Sequence, residues 1–195
     1  MPDPKERVTD HPRGFCRMPD DERRKWQNPE AILMEIGLKA GDTFMDIGCG
    51  HGFFALPAAG IVGEAGLVYG VDTNRVAIKD LEDIARQKGI RNLKLRAAKA
   101  ERTVFYEACA DMIFFGIDLH DFQDPSKVLQ NARKMIKPGG RLVDLDWKKE
   151  PSPWGPPLEI RFEEAKAQKL IEAADFNVES VKSIGPYHYL IIARG

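Results

Sequence analysis

Cysteine is scarce in this chain: there are three among 195 residues, Cys16, Cys49 and Cys109. They form no CxxC pair and no zinc-ligand spacing. That excludes a disulfide framework and a zinc ribbon, and suits reduced thiols in a cytoplasmic protein. Long apolar runs are also missing. None reaches the roughly 18–20 residues of a membrane span, and the opening MPDPKERVTDHPRG has no apolar core of the signal-peptide type. Neither sign of charge dominates, since 29 basic side chains stand against 30 acidic ones. This leaves no global electrostatic case for nucleic acid or an anionic membrane. No internal repeat or low-complexity tract interrupts the chain.

What is present is the material for one domain of ordinary size, with 43% hydrophobic residues to build its core. Residues 1–28 read as a polar arm with a short basic helix around DDERRKW, and 29–195 as the domain proper. Asn28-Pro29 is a helix-start signal. From residue 43 onward, short apolar runs alternate with amphipathic stretches. TFMDIG, GLVYGVD, NLKLRAA, DMIFFGI and GRLVDLDW read as strands. Between them, FFALPAAGIV (with a proline expected to kink it), NRVAIKDLEDIARQKG, DPSKVLQNARKMIK and EIRFEEAKAQKLIEAA read as helices. NVESVKSIG and YHYLIIARG form two last strands joined by a Gly185-Pro186 turn, so the final strand runs antiparallel. The pattern predicts a doubly wound α/β fold with a mostly parallel sheet, and ligands beyond the carboxyl ends of its strands.

The stretch MDIGCGHGF, residues 45–53, brings an acid against a glycine turn. Gly48 and Gly50 let the backbone bend sharply and approach a ligand closely, and the following helix start offers N–H groups. Asp46, just before the turn, would repel a pyrophosphate and suits a cationic group. Asp72 ends the next strand, where each carboxylate oxygen can accept one ribose hydroxyl. The bland readings are a turn cap for Asp46 and a strand-end turn residue for Asp72. A ligand with a cationic amino-acid part, a ribose and no phosphate is S-adenosylmethionine.

Residues 42–72, DTFMDIGCGHGFFALPAAGIVGEAGLVYGVD, resemble the first two motifs of the class I S-adenosylmethionine-dependent methyltransferases. IKPGGRLVDLDWKKEP resembles their fifth-strand region, and LHDFQDPSKVL the segment after the fourth strand in the ubiquinone-methyltransferase-like branch. The resemblance implies a seven-stranded, mostly parallel sheet with an antiparallel last strand, and methyl transfer by in-line displacement. Carried over residue by residue, it assigns Asp46, Gly48 and Gly50 to the methionine half of the cofactor, with Cys49 and His51 in the same turn. Asp72 falls on the ribose, Thr73, Asn74, Ala100 and Glu101 fall near adenine, and Phe115 and Gly116 on the sulfur side. Two positions depart from the family: His51 stands where a small residue or Thr is common, and Lys99 where an Asp often reads the adenine amino group. Lysine cannot accept that bond, which leaves Glu101 as the substitute.

Asp118, His120 and Asp121 form the one cluster resembling an acid–base set. His120 is the candidate base for an oxygen or nitrogen acceptor; the alternative is a polar loop with a helix cap at Asp124. No added target-recognition domain is visible, which implies a small-molecule acceptor. Trp147, Trp154 and the WGPP loop follow the fifth strand, either to stack on a flat acceptor or to pack the loop down. Of the competing functions, a nicotinamide-dependent oxidoreductase wants a third glycine at position 53, which is Phe53. A non-catalytic cofactor-binding protein is the other, with Lys99 as its foothold.

Overall fold

Seven strands form a single sheet in the order β3-β2-β1-β4-β5-β7-β6 in a computed structural model that describes residues 20–195. The strands are β1 (Thr43–Ile47), β2 (Leu67–Asp72), β3 (Leu93–Ala97), β4 (Ala110–Gly116), β5 (Ile136–Trp147), β6 (Asn177–Ile184) and β7 (His188–Arg194). β1 pairs parallel with β2 and β4, β2 with β3, and β4 with β5. β7 runs antiparallel between β5 and β6. The expected sheet with its antiparallel last strand is the one that forms. Strand order reverses between β1 and β4, which opens a crevice at their carboxyl ends.

Among the described residues, six helices accompany the sheet: α1 (Asp20–Arg24), α2 (Pro29–Glu35), α3 (Ala55–Val62), α4 (Arg75–Gln87), α5 (Pro125–Met135) and α6 (Glu164–Glu172). Alternate residues of the central strands feed opposite faces. Met45, Ile47, Ile113 and Phe115 join α5 and α6 in one core. Phe44, Val68, Met112 and Phe114 join α2, α3 and α4 in the other. Burial on both faces explains why β1 and β4 read as continuous apolar runs rather than as alternating ones. Asn28 accepts a bond from Ala31 N, Asn74 from Val76 N and Ala77 N, and Asp124 from Lys127 N, so three helices have side-chain caps.

The differences from the sequence reading have local causes. α3 begins at Ala55, so Pro57 falls in the first turn, where its missing N–H breaks no helical bond and the reason for a kink disappears. α5 stops at Met135, and β5 already starts at Ile136. Pro138-Gly139-Gly140 is absorbed within the strand because the β4–β5 register shifts between Ala110 and Met112. α6 starts at Glu164 rather than Glu159, because the Arg161 side chain is drawn out to a loop described below. The short helix expected around residues 20–26 forms over Asp20–Arg24. Cys16 and the rest of the arm, residues 1–19, lie outside the described residues. Among the described residues, no helix is long and apolar enough to cross a membrane.

Candidate functional site

The carboxyl ends of β1, β2, β4 and β5 meet at one edge of the sheet, and the site is built there. Leaving β1, the chain turns back through Gly48 (φ +89°) and Gly50 (φ +50°). Gly48 N and Cys49 N donate to Val71 O at 2.8 and 3.1 Å, tying the turn to β2. A Cβ on Gly48 would lie 2.6 Å from Asp118 Cγ, so the missing side chain is what lets that carboxylate close over the turn. Gly50 N donates to Asp72 Oδ2 at 2.8 Å, and Asn74 N to Asp72 Oδ1 at 2.7 Å. Asp72 therefore braces the glycine turn with one lone pair of each oxygen, and the others stay available to further donors.

Asp46 is 2% exposed. Burial, reinforced by the charge of Asp72, pushes its carboxyl up to about 7, against the pull of the Arg23 guanidinium and the Ala55 backbone N–H. Asp46 Oδ2 is buried and has no hydrogen-bond partner among the described residues. Burial and the charges of Asp72, Asp46, Asp121 and Asp146 hold Asp118 well above the usual carboxylate range. The charge of Asp72 reaches both buried acids with little solvent between them, and Asp46 adds to the field on Asp118. An incoming positive charge would lower Asp46 and Asp118, whereas a pyrophosphate would meet the combined repulsion of the cluster.

The remaining residues singled out in the sequence take different stations. The Cys49 side chain turns into the core against Gly70, whose Cβ would fall 2.9 Å from the sulfur, and burial pushes its thiol well up. Only the Cys49 backbone follows the turn. His51 Nδ1 reaches 3.8 Å from Asp80 Oδ2 on α4. Thr73 is exposed, and the Asn74 side chain is occupied in capping α4. Ala100 is buried in a 3-10 turn, Ala100–Arg102, and its carbonyl accepts from Asn131. Glu101 Oε1 accepts from Gln123 N at 3.1 Å and Asp124 N at 3.4 Å, while Lys99 Nζ donates to Gln123 Oε1 at 3.0 Å. Lys99 and Glu101 thus hold the loop that enters α5, a role that motif comparison does not reveal. Phe115 is fully buried against Phe122, and Gly116 ends β4 with Phe54 behind it.

His120, in a 3-10 turn after β4, is 5% exposed. Its Nδ1 lies 2.8 Å from both carboxylate oxygens of Asp146 on β5, and Trp147 N donates to Asp146 Oδ1 at 2.7 Å. Nε2 is 3.7 Å from Asp121 Oδ2. Asp146 escaped the sequence reading; the signal was present in VDLDW, whose two acids two residues apart must share one face of a buried strand. Asp144, the other acid, is completely buried. Burial and the charge of Asp146 push it well above the usual range, opposed by the Tyr189 hydroxyl.

A wall of aromatic rings closes this side. Trp26, just after α1, stacks on His188 with centroids 5.2 Å apart and planes 5° apart, and Trp147 lies 4.2 Å from the same imidazole. Burial, together with Arg23, Arg161 and Lys148, drives His188 down to about 3, so the ring is neutral. Arg161, 4% exposed, donates to the carbonyls of Lys148, Glu150, Trp154 and Pro156 and sits 5.0 Å from the Trp147 ring centroid. That one cation holds the WGPP loop; Trp147 packs down while Trp154 stays exposed. The Arg23 guanidinium lies 3.8 Å from the Phe53 ring centroid, so α1 roofs the glycine turn.

Comparison with known proteins follows the same geometry. A family profile described as "Methyltransferase domain" matches residues 38–183. A demethylmenaquinone methyltransferase of Geobacillus kaustophilus is 30% identical over 122 residues, which is 63% of this chain and 51% of that protein. A ubiquinone/menaquinone biosynthesis C-methyltransferase of a Marinomonas species is 32% identical over 121 residues, 62% of this chain and 48% of the relative. The chain spans about half the length of these curated relatives. Among solved structures, a SAM-dependent methyltransferase from Aquifex aeolicus superposes with a TM-score of 0.84 at 27% identity, covering 91% of this chain and 99% of that one. A putative type 11 methyltransferase from Sulfolobus solfataricus gives 0.70 at 26% identity, covering 86% and 92%.

Proposed function

The chain belongs to the methyltransferase-domain family, and from that premise we propose that it transfers the methyl group of S-adenosylmethionine to a small-molecule acceptor. The observation that carries the reading is Asp46 Oδ2, a buried carboxyl oxygen without a hydrogen-bond partner among the described residues, beside the glycine turn. It suits an ammonium group, and the residues fit the cofactor. Asp46, Gly48 and Gly50, with the backbone of Cys49 and His51, would line the methionine half. Asp72 would take the ribose with its remaining lone pairs. Thr73, Asn74, Ala100 and Glu101 would border adenine, and Phe115 and Gly116 the sulfur side. Bound there, the sulfonium supplies an electrophilic methyl carbon with a neutral thioether as leaving group. The chain's own work is alignment and exclusion of water, which a roof of α1 and a loop tied down by Arg161 both serve.

Within the expected arm, residues 20–28 fit that role beside a domain of 29–195, since α1 and Trp26 lie over the site rather than in the sheet. A cytoplasmic setting agrees with Cys49 and Cys109, which are both free. For the acceptor, the names of the relatives favour a quinone-type ring, and the exposed Trp154 on the loop after β5 offers a flat apolar surface for one. The test is calorimetry with S-adenosylhomocysteine and with NAD, followed by transfer of labelled methyl to 1,4-dihydroxynaphthalene. Binding of adenosylhomocysteine but not NAD, with label in the naphthalene product, is expected. Binding of NAD alone would overturn the reading; cofactor binding with no label transferred to any acceptor tried would point to the non-catalytic alternative.

A further inference from the structure

We infer that Asp146 is a positioning residue that makes His120 the proton acceptor of the reaction, and hence that the acceptor is a hydroxyl-bearing nucleophile that must lose a proton. This rests on the methyl-transfer reading above. The pair bridges the carboxyl ends of β4 and β5, one residue past Leu119 and two past the Asp118 carboxylate that covers the glycine turn. Asp146, as a carboxylate, can only accept, so the 2.8 Å contacts require the proton on Nδ1 and leave Nε2 as the basic nitrogen. The bond from Trp147 N fixes the carboxylate, and the carboxylate fixes the ring plane.

Among the described residues, the charged and titratable groups around the pair are Asp118 and Asp121 from its own segment, Asp144 beside Asp146 on β5, Tyr189 on β7 and Arg161 beyond. Within this set acids outnumber cations, which favours the imidazolium once formed. The acceptor O–H proton moves to Nε2 while the acceptor's electron pair forms the bond to the methyl carbon. The carbon–sulfur bond breaks with its pair on sulfur, and the imidazolium later returns its proton to solvent. An acceptor that is already an anion at neutral pH, such as a reactive thiolate, would have no use for the dyad.

Nitrogen-15 NMR of histidine-labelled protein tests the pair without any acceptor. The His120 signal is assigned by its loss in His120→Asn, whose amide can still donate to Asp146 and preserve the fold. The proton is expected on Nδ1 in the wild type and on Nε2 in Asp146→Asn; Nε2–H in the wild type would overturn the proposal. Kinetics with 1,4-dihydroxynaphthalene, catechol and 2-mercaptoethanol complete it. Asp146→Asn should lower kcat about 100-fold and His120→Asn by at least as much, with KM and adenosylhomocysteine affinity within twofold. The rise of kcat/KM with pH should vanish in His120→Asn. Activity kept within threefold in either variant, transfer confined to 2-mercaptoethanol, or no transfer by a wild type that binds adenosylhomocysteine would each overturn the assignment. Failure of the wild type to bind adenosylhomocysteine would instead overturn the methyl-transfer reading beneath it, and is seen separately by calorimetry.

Discussion

The two halves of the open edge are built on opposite principles. The half over β1 and β2 comes from one continuous stretch, residues 46–74, braced by backbone bonds to Val71 and Asp72. Its acid is left under tension: Asp46 has a buried oxygen without a hydrogen-bond partner among the described residues and is held above its ordinary range, as is Asp118, which reaches over the turn from beyond β4. The half over β4, β5 and β7 is assembled from residues 23–26, 118–121, 144–147, 161 and 187–189. There His120 is set against Asp146 and Arg161 against four carbonyls, while Asp144 stays a buried acid pushed well above its ordinary range. The first half gathers buried acid around a turn; the second ties its cation and its imidazole to protein partners. The contrast teaches that a ligand should change the first half energetically and leave the second nearly as it stands.

Four perturbations probe that contrast. Arg161→Ala leaves four loop carbonyls without their shared donor and should cost about 3–4 kcal/mol of stability, read as a fall in denaturant midpoint. A loss below 1 kcal/mol would mean the second half is not held by this cation. Gly48→Ala drives a methyl into Asp118 at a positive φ; about 2–3 kcal/mol of stability and most adenosylhomocysteine binding should go with it. Retained binding would show the turn to be looser than described.

Asp46→Asn separates the halves most directly. The Asp46 carboxyl sits at about 7 when folded, well above its unfolded value. The unfolded chain therefore releases this proton first, and folded stability falls as pH rises from about 4 to about 7. The penalty is absent below that window and complete above it. The apo wild type should melt lower at pH 8 than at pH 5, and Asp46→Asn should flatten that slope while weakening S-adenosylmethionine binding by about 1–3 kcal/mol. Wild-type affinity should rise with pH up to about 7, because the ionised form is the one that receives the ligand. An unchanged slope in Asp46→Asn would assign the tension to Asp118 or Asp144. The smallest effect is expected at Lys99→Ala, below about 0.5 kcal/mol, because Glu101 still holds the loop at Gln123 and Asp124. A large loss of cofactor affinity there would return Lys99 to the adenine contact.

The first half was readable because its parts are adjacent. An acid, a glycine turn and a second acid at the next strand end declare themselves by spacing. Even there, Asp72 turned out to brace the turn itself, and Asn74 to cap α4. The second half was only partly readable: His120 stood out, but Asp146 lies 26 residues away, and only the β4–β5 pairing brings them together. Arg161 read as a helical residue because nothing local announces that four carbonyls from another loop surround it. Lys99 read as a defect in the adenine contact for the same reason, since its partner Gln123 comes from beyond the next strand.

By itself the sequence determined the succession of strands and helices along the chain and the antiparallel closing strand. Periodicity and nearest-neighbour spacing are enough for these, because each is a property of a contiguous segment. Only the tertiary structure decided which acid meets His120, what Arg161 holds and how far Asp46 departs from an ordinary carboxylate. Those depend on strand order, register and the exclusion of water, and desolvation belongs to the packing around a residue, not to its place in the chain.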